Sequence, residues 1–148
     1  MKKIMFGICL IAAITSCKKS KDAVTCETSV AGIAASYKLT KVTSSTSGSA
    51  ETDVTSAYSQ AYPCDFNGVY KLNADKTVVY TETGTCSGSG TGTWDVVNSN
   101  ITVTTNGSGS IDFSAAPISS WDCGTLVIAE TVTGGGITGT TKYFFTKQ

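Results

Sequence analysis

The chain is predicted to be all-β, folding as a single antiparallel up-and-down barrel of about eight strands. Three observations carry this. From residue 32 onward Thr, Ser, Gly, Val and Tyr dominate, Leu is scarce, and strong helix formers never run together. Apolar and polar residues alternate in short runs, the period of a strand that buries one face. Turn residues separate the runs at close spacing, so each strand is joined to the next as a hairpin. Closing such a meander into a barrel removes the edges that a Thr/Val-rich sheet would otherwise expose.

The elements follow in order. Residues 36–43 alternate around Tyr37, Leu39 and Lys41. Residues 67–72 and 77–82 flank Asn73-Ala74-Asp75-Lys76, a four-residue hairpin loop. Residues 92–97 centre on Trp94, and 101–105 follow the compact turn Asn98-Ser99-Asn100. Asn106-Gly107 is a strong hairpin signal, because both residues tolerate positive φ, and it makes 110–113 the returning strand. Residues 126–132 and 140–146 form a last hairpin around Gly134-Gly135-Gly136. Two stretches break the meander: a Ser/Thr/Ala-rich loop over 44–63, with a helical turn at 55–60, and an irregular crossover over 114–123 containing Pro117 and Trp121.

The N-terminus has a different character. Met1-Lys2-Lys3 is cationic, residues 4–14 are apolar, and Ile14-Thr15-Ser16 leads into Cys17, followed by Lys18, Lys19 and Lys21. The apolar run is far short of the roughly 20 residues that a membrane-spanning helix needs, so it reads as a secretory signal. Its end resembles the lipobox of bacterial lipoproteins. That resemblance implies cleavage after residue 16 and acylation of Cys17. The expected organisation is a signal peptide over 1–16, a lipidated tether over 17–31 and the β domain over 32–148. The expected partner is the membrane, reached through the lipid anchor. No Asp follows Cys17, so the address expected by analogy is the outer membrane of the cell envelope, with orientation left open.

Composition narrows the chemistry. The chain holds 11 Lys against 11 acids, with neither Arg nor His. Without Arg or a basic stripe, nucleic-acid binding is not expected. Without His, a Ser-His-acid triad cannot form and the commonest metal ligand is missing. Of the six Cys, Cys9 falls in the signal and Cys17 at the acylation position, leaving Cys26, Cys64, Cys86 and Cys123. An even set in an exported chain points to bridges, with three connectivities open. Their spacing does not match a zinc site. Neither a metal nor a cofactor is expected. Asp65, Glu82, Asp95 and Glu130 lie on or beside strands and read as solvated outer-face charges rather than a catalytic pair. The run Gly84-Thr85-Cys86-Ser87-Gly88-Ser89-Gly90-Thr91-Gly92 lacks the Gly-Lys-Ser/Thr of a phosphate loop and reads as a flexible connection.

Three local patterns together resemble a family. They are Tyr37-Lys38-Leu39 after Gly32; Cys64-Asp65-Phe66 with Tyr70-Lys71-Leu72-Asn73-Ala74-Asp75-Lys76-Thr77, Cys86 and Gly92-Thr93-Trp94; and Thr140-Thr141-Lys142-Tyr143-Phe144-Phe145-Thr146-Lys147. Over about residues 32–147 the chain is similar to the lipocalin-like domain of small secreted lipoproteins of the Bacteroidetes. The resemblance implies a lipocalin-like barrel with Trp94 near its floor, and no particular activity. It also implies a Cys64–Cys86 bridge across the 67–82 hairpin, leaving Cys26 with Cys123. Those bridges close loops of about 22 and about 97 residues, worth roughly 3 and 4–5 kcal/mol on loop entropy.

The expected function is non-enzymatic: a monomeric envelope lipoprotein whose barrel binds a small apolar ligand. Tyr70, Tyr80, Trp121 and Tyr143 are the candidate ligand-binding residues, since inward aromatics can line a cavity. The alternative is a filled barrel that acts as a structural or protein- or polysaccharide-interaction module. Core filling and cavity lining predict the same alternation, so the pattern leaves both open.

Overall fold

The computed structural model describes residues 25–107 and 109–148. The expected signal segment, Cys9, Cys17 and the lysine-rich start of the tether lie outside these residues. The described elements are α1 (Val30–Ile33), β1 (Ser36–Thr46), β2 (Thr52–Asp53), α2 (Thr55–Ala61), β3 (Gly68–Leu72), β4 (Thr77–Glu82), β5 (Ser89–Val97), β6 (Asn100–Thr105), β7 (Phe113–Trp121), β8 (Thr125–Gly134) and β9 (Ile137–Lys147). Every strand pairing is antiparallel. β1 pairs with β3 on one side and β9 on the other, so β1 and β3 to β9 form a ring of eight strands. β2 lies on the far half of β1, where Thr43 faces Asp53.

Local chemistry sets the tight turns. In the 73–76 loop the Asn73 N–H donates to the Thr77 carbonyl (2.9 Å) and the Lys76 N–H to the Asn73 carbonyl (3.0 Å), with Lys76 at φ 68°. Asn98 and Ser99 take φ 51° and 60°, the two-residue turn whose twist matches flanking strands. Gly135 and Gly136 do the same at 59° and 81°, between the paired Gly134 and Ile137.

Several elements differ from expectation. Strand β1 runs on to Thr46, so the 44–63 stretch holds the end of one strand, all of β2 and the helix α2. The Gly-rich run contributes Ser89 to Gly92 to β5, where Gly92 is needed because a Cβ would strike the Thr104 carbonyl. Asn106-Gly107 is not a two-residue turn; among the described residues of the connection the positive φ falls on Gly109. Residues 109–112 are not strand, because side chains take backbone donors on both sides of the turn. Ile111 N–H donates to the Tyr70 hydroxyl (2.6 Å), and the Asp112 carboxylate accepts from Thr105 N–H (3.0 Å). The supposed crossover over 114–123 is mostly β7. Ile118 donates its N–H to the Ser99 carbonyl beside β6 (2.9 Å), so alternation turns Pro117 the other way, toward β8, where its missing N–H breaks no bond to β6.

The ring interior takes one face of each strand: Tyr37, Leu39 and Val42 from β1, Tyr70 and Leu72, Val78 and Tyr80, Trp94, Ile101 and Val103, Phe113, Leu126 and Ile128, then Tyr143 and Phe145. A register shift between Leu39 and Lys41 changes the parity of β1 and brings Val42 inward. Each end of the ring carries a disulfide. Cys26–Cys123 (Cα–Cα 5.3 Å) lies at the end that holds α1 and the 73–76 and 98–99 turns. Cys64–Cys86 (5.6 Å) lies at the other, beside α2. The end of the expected tether is packed into the first end, as Ser29 and Val30 start α1 and Ser29 caps it by accepting from Gly32 N–H (3.1 Å). Just inside the expected domain, Ile33 is fully buried and its carbonyl accepts from the Tyr37 hydroxyl (2.6 Å).

Candidate functional site

The four aromatic residues chosen from the sequence do not form one site. Tyr70 and Tyr80 stack at 4.7 Å between ring centroids across the matched β3–β4 pair. Tyr70 meets Phe145 edge-on (5.6 Å), Phe145 meets Phe113 (5.9 Å), and Phe113 meets Tyr143 (5.5 Å). Tyr143 in turn meets Tyr58 of α2 (5.9 Å), which lies over the end of the ring. The result is a continuous aromatic stack along the interior, and edge-to-face pairs of this kind add to the burial energy. Trp121 stands apart, edge-on to Tyr37 at 6.1 Å. Its indole Nε1 is buried with no hydrogen-bond partner among the described residues. Trp94 is buried and donates its Nε1–H to the Asn73 carbonyl (2.8 Å), which ties the 73–76 turn to the core.

This stack leaves little space. The void between Tyr37, Tyr70, Leu72, Phe113, Leu126 and Phe145 measures about 20 Å³. That holds about one water, whereas small-molecule pockets run to roughly 300–1,000 Å³.

Phenols and carboxylates meet at the α2 end. Asp65 is buried, contrary to the expectation that it would be an outer-face charge; its carboxylate accepts from the Tyr58 hydroxyl (2.9 Å). Burial holds the Asp65 carboxyl above the usual range, the Tyr58 hydrogen bond offsets part of this, and the charge of Glu82 adds to it. Glu82 accepts from the Tyr80 hydroxyl (2.8 Å) and from Gly88 N–H, while the Tyr80 hydroxyl also lies 3.0 Å from the Gly109 carbonyl. Burial raises Tyr58, Tyr70 and Tyr80, and takes Tyr143 to about 12 with help from Glu130. These phenols therefore remain protonated at neutral pH: Tyr58 and Tyr80 donate to Asp65 and Glu82, and the Tyr70 hydroxyl accepts from Ile111 N–H. Asp95 does lie outside, paired with Lys76 at 2.9 Å.

Cys64, Cys86 and Glu82 bring their ligand atoms within 4.8 Å of one another. The two sulfurs form a disulfide, so neither is a thiolate, and the Glu82 oxygens already accept hydrogen bonds. The arrangement braces the ring end and does not offer a metal-ligand set. Sequence reasoning passed over Tyr58 and Phe113. Tyr58 sits four residues before Tyr62, a helical spacing now seen as a ring contact at 4.8 Å, but the Ser/Thr background hides it.

Compared with protein-family models, curated proteins and solved structures, the chain finds no match.

Proposed function

We propose that this protein is a lipid-anchored interaction module of the cell envelope, built on a filled lipocalin-like barrel. The observation that carries the reading is the interior void of about 20 Å³. A small apolar ligand has nowhere to go, because Tyr70, Tyr80 and Tyr143 spend their rings on the core. The outward faces are instead polar and small, with exposed Thr77, Thr91, Thr93, Thr102 and Thr104 on three neighbouring strands.

Two disulfides accord with an oxidising compartment. The described chain begins at the ring end that holds Cys26–Cys123, so an anchor at Cys17 would hold that end toward the membrane. The opposite end, with α2 and the long β8–β9 hairpin, then points away from the lipid and is free for a partner.

Native mass spectrometry of the purified protein tests this reading. The expected result is the bare polypeptide mass plus acyl chains. A stoichiometric apolar small molecule released from the interior would return the ligand-carrier function. Palmitate labelling that persists in a Cys17→Ala variant would remove the anchor.

A further inference from the structure

The ring is not closed evenly. β7 and β8 are matched from Trp121↔Leu126 to Ile118↔Ile128, and the register extends no further. Both strands continue past that point, β7 back to Phe113 and β8 on to Gly134. Between residues 114–117 of β7 and 129–132 of β8 lies a groove of about 350 Å³.

The two walls are unequal. On β7, Pro117 faces the groove and has no N–H to give. Ala115, at φ 48°, turns its N–H to the Thr102 hydroxyl (3.2 Å). That edge is blocked, as native sheets block edges that must not pair. On β8 the edge is open. Lys147 N–H donates to the Gly124 carbonyl (2.7 Å), and the β8–β9 register is unbroken from Thr125↔Thr146 to Gly134↔Ile137. Alternation therefore turns Leu126, Ile128, Glu130 and Val132 toward β9, and presents the N–H and C=O of Thr131 and Thr133 to the groove. Apart from Pro117 and Glu130 the side chains there are small or β-branched, and Val132 is 74 % exposed.

We propose that this groove takes one extended peptide segment of a partner protein, added antiparallel to β8 along residues 129–133. This rests on the interaction-module reading and names its partner class. A backbone edge that offers alternating N–H and C=O groups is matched by another extended backbone. The β7 wall stands opposite β8 along the same groove, whose volume of about 350 Å³ is on the scale of a short peptide segment and not of a whole sheet from a second copy. Small side chains on the incoming strand fit over Ala115 and Ala129. Glu130 also lines the groove, with its carboxylate beside the Tyr143 hydroxyl, and its charge favours a Lys or Arg nearby.

The test uses isotope-labelled full-length protein and a capped hexapeptide, Lys-Val-Thr-Val-Thr-Lys. In the free protein the Thr131 and Thr133 amides exchange with solvent much faster than those of Glu130 and Val132. Peptide addition shifts and protects them. N-methylating the peptide nitrogens of the paired edge weakens binding about tenfold or more. Thr131→Pro abolishes binding while the melting temperature stays within a few degrees, because that N–H faces away from β9; Val132→Pro, whose N–H faces β9, disrupts the hairpin. The proposal is overturned if Thr131 is already protected in the free protein, or if N-methylated peptide or the Thr131→Pro protein binds as well as the parent. Concentration-dependent dimerisation lost in Thr131→Pro would also overturn it, assigning the edge to a second copy. An interior small molecule in the mass spectrum would instead defeat the interaction-module reading and leave the edge measurements intact.

Discussion

The ring of Tyr80 lies directly over the bare Cα of Gly68, two residues along the neighbouring strand from its partner Tyr70. A Cβ at position 68 would lie 2.2 Å from a Tyr80 ring carbon and 2.5 Å from its hydroxyl oxygen. Tyr80 is fully buried, and its hydroxyl is pinned by Glu82 and the Gly109 carbonyl, so it has nowhere to move. Gly68→Ala should therefore lower stability by about 1–3 kcal/mol, the usual cost of overpacking. Urea denaturation measures it. In the Gly68→Ala/Tyr80→Ala pair the two costs should sum to more than the double variant shows, because the clash is removed once.

Phe145 bridges Tyr70 and Phe113 at the centre of the stack. Phe145→Ala should cost about 3–5 kcal/mol and enlarge the void of about 20 Å³ that its ring lines. The parent protein should leave an apolar fluorescent dye unbound, and the variant should bind it at denaturant concentrations where it remains folded. Dye binding to the parent would contradict a filled interior.

The buried Asp65 gives a pH dependence with a definite sign. Its carboxyl is raised in the folded state, so its contribution to stability is fully present below the unfolded Asp value, near pH ~4, and is lost as pH rises through the folded value. Asp75, Asp95 and Asp122 are lowered by hydrogen bonds, and their contribution runs the other way, lost as pH falls through their folded values. Asp65→Asn should raise the denaturation midpoint at pH 7 and make little difference below about pH 4. A midpoint that drops at pH 7 would show that Tyr58 needs the charge.

The two disulfides should differ in weight. Cys26–Cys123 spans 97 residues and Cys64–Cys86 spans 22. Loop entropy predicts a loss of about 4–5 kcal/mol for the paired Cys26→Ser/Cys123→Ser change and about 3 kcal/mol for Cys64→Ser/Cys86→Ser. Thermal melts of the two double variants compare them directly. Non-reducing peptide maps of the parent should return these pairs, and a Cys26–Cys64 peptide would break the scheme.

Much of the fold was legible because strands and tight turns are local. Trp94, Tyr70, Tyr80 and Tyr143 fall inward as their alternation requires, and the Asn98-Ser99 and Gly135-Gly136 turns follow from residues that accept positive φ. β7 was misread because Pro117 is a breaker in any strand that uses its N–H, and only the position of β6 and β8 shows that this strand does not. Residues 110–112 were misread for the opposite reason: their alternation fits a strand, but Tyr70, brought in from β3, claims one of their donors. The burial of Asp65 carried no signal, since its partner Tyr58 comes from a helix in a stretch of Ser and Thr.

By itself the sequence determined an antiparallel β domain, the places where most of its strands turn and an even set of cysteines, because each depends on neighbours a few residues apart. Only the tertiary structure decided whether the interior was hollow or filled and where the ring stayed open. The first depends on how the volume of seven stacked and packed aromatic rings compares with the width of eight strands. The second depends on which way Pro117 faces once β6 has taken the other side of β7. Neither comparison exists until residues far apart in the chain are brought together.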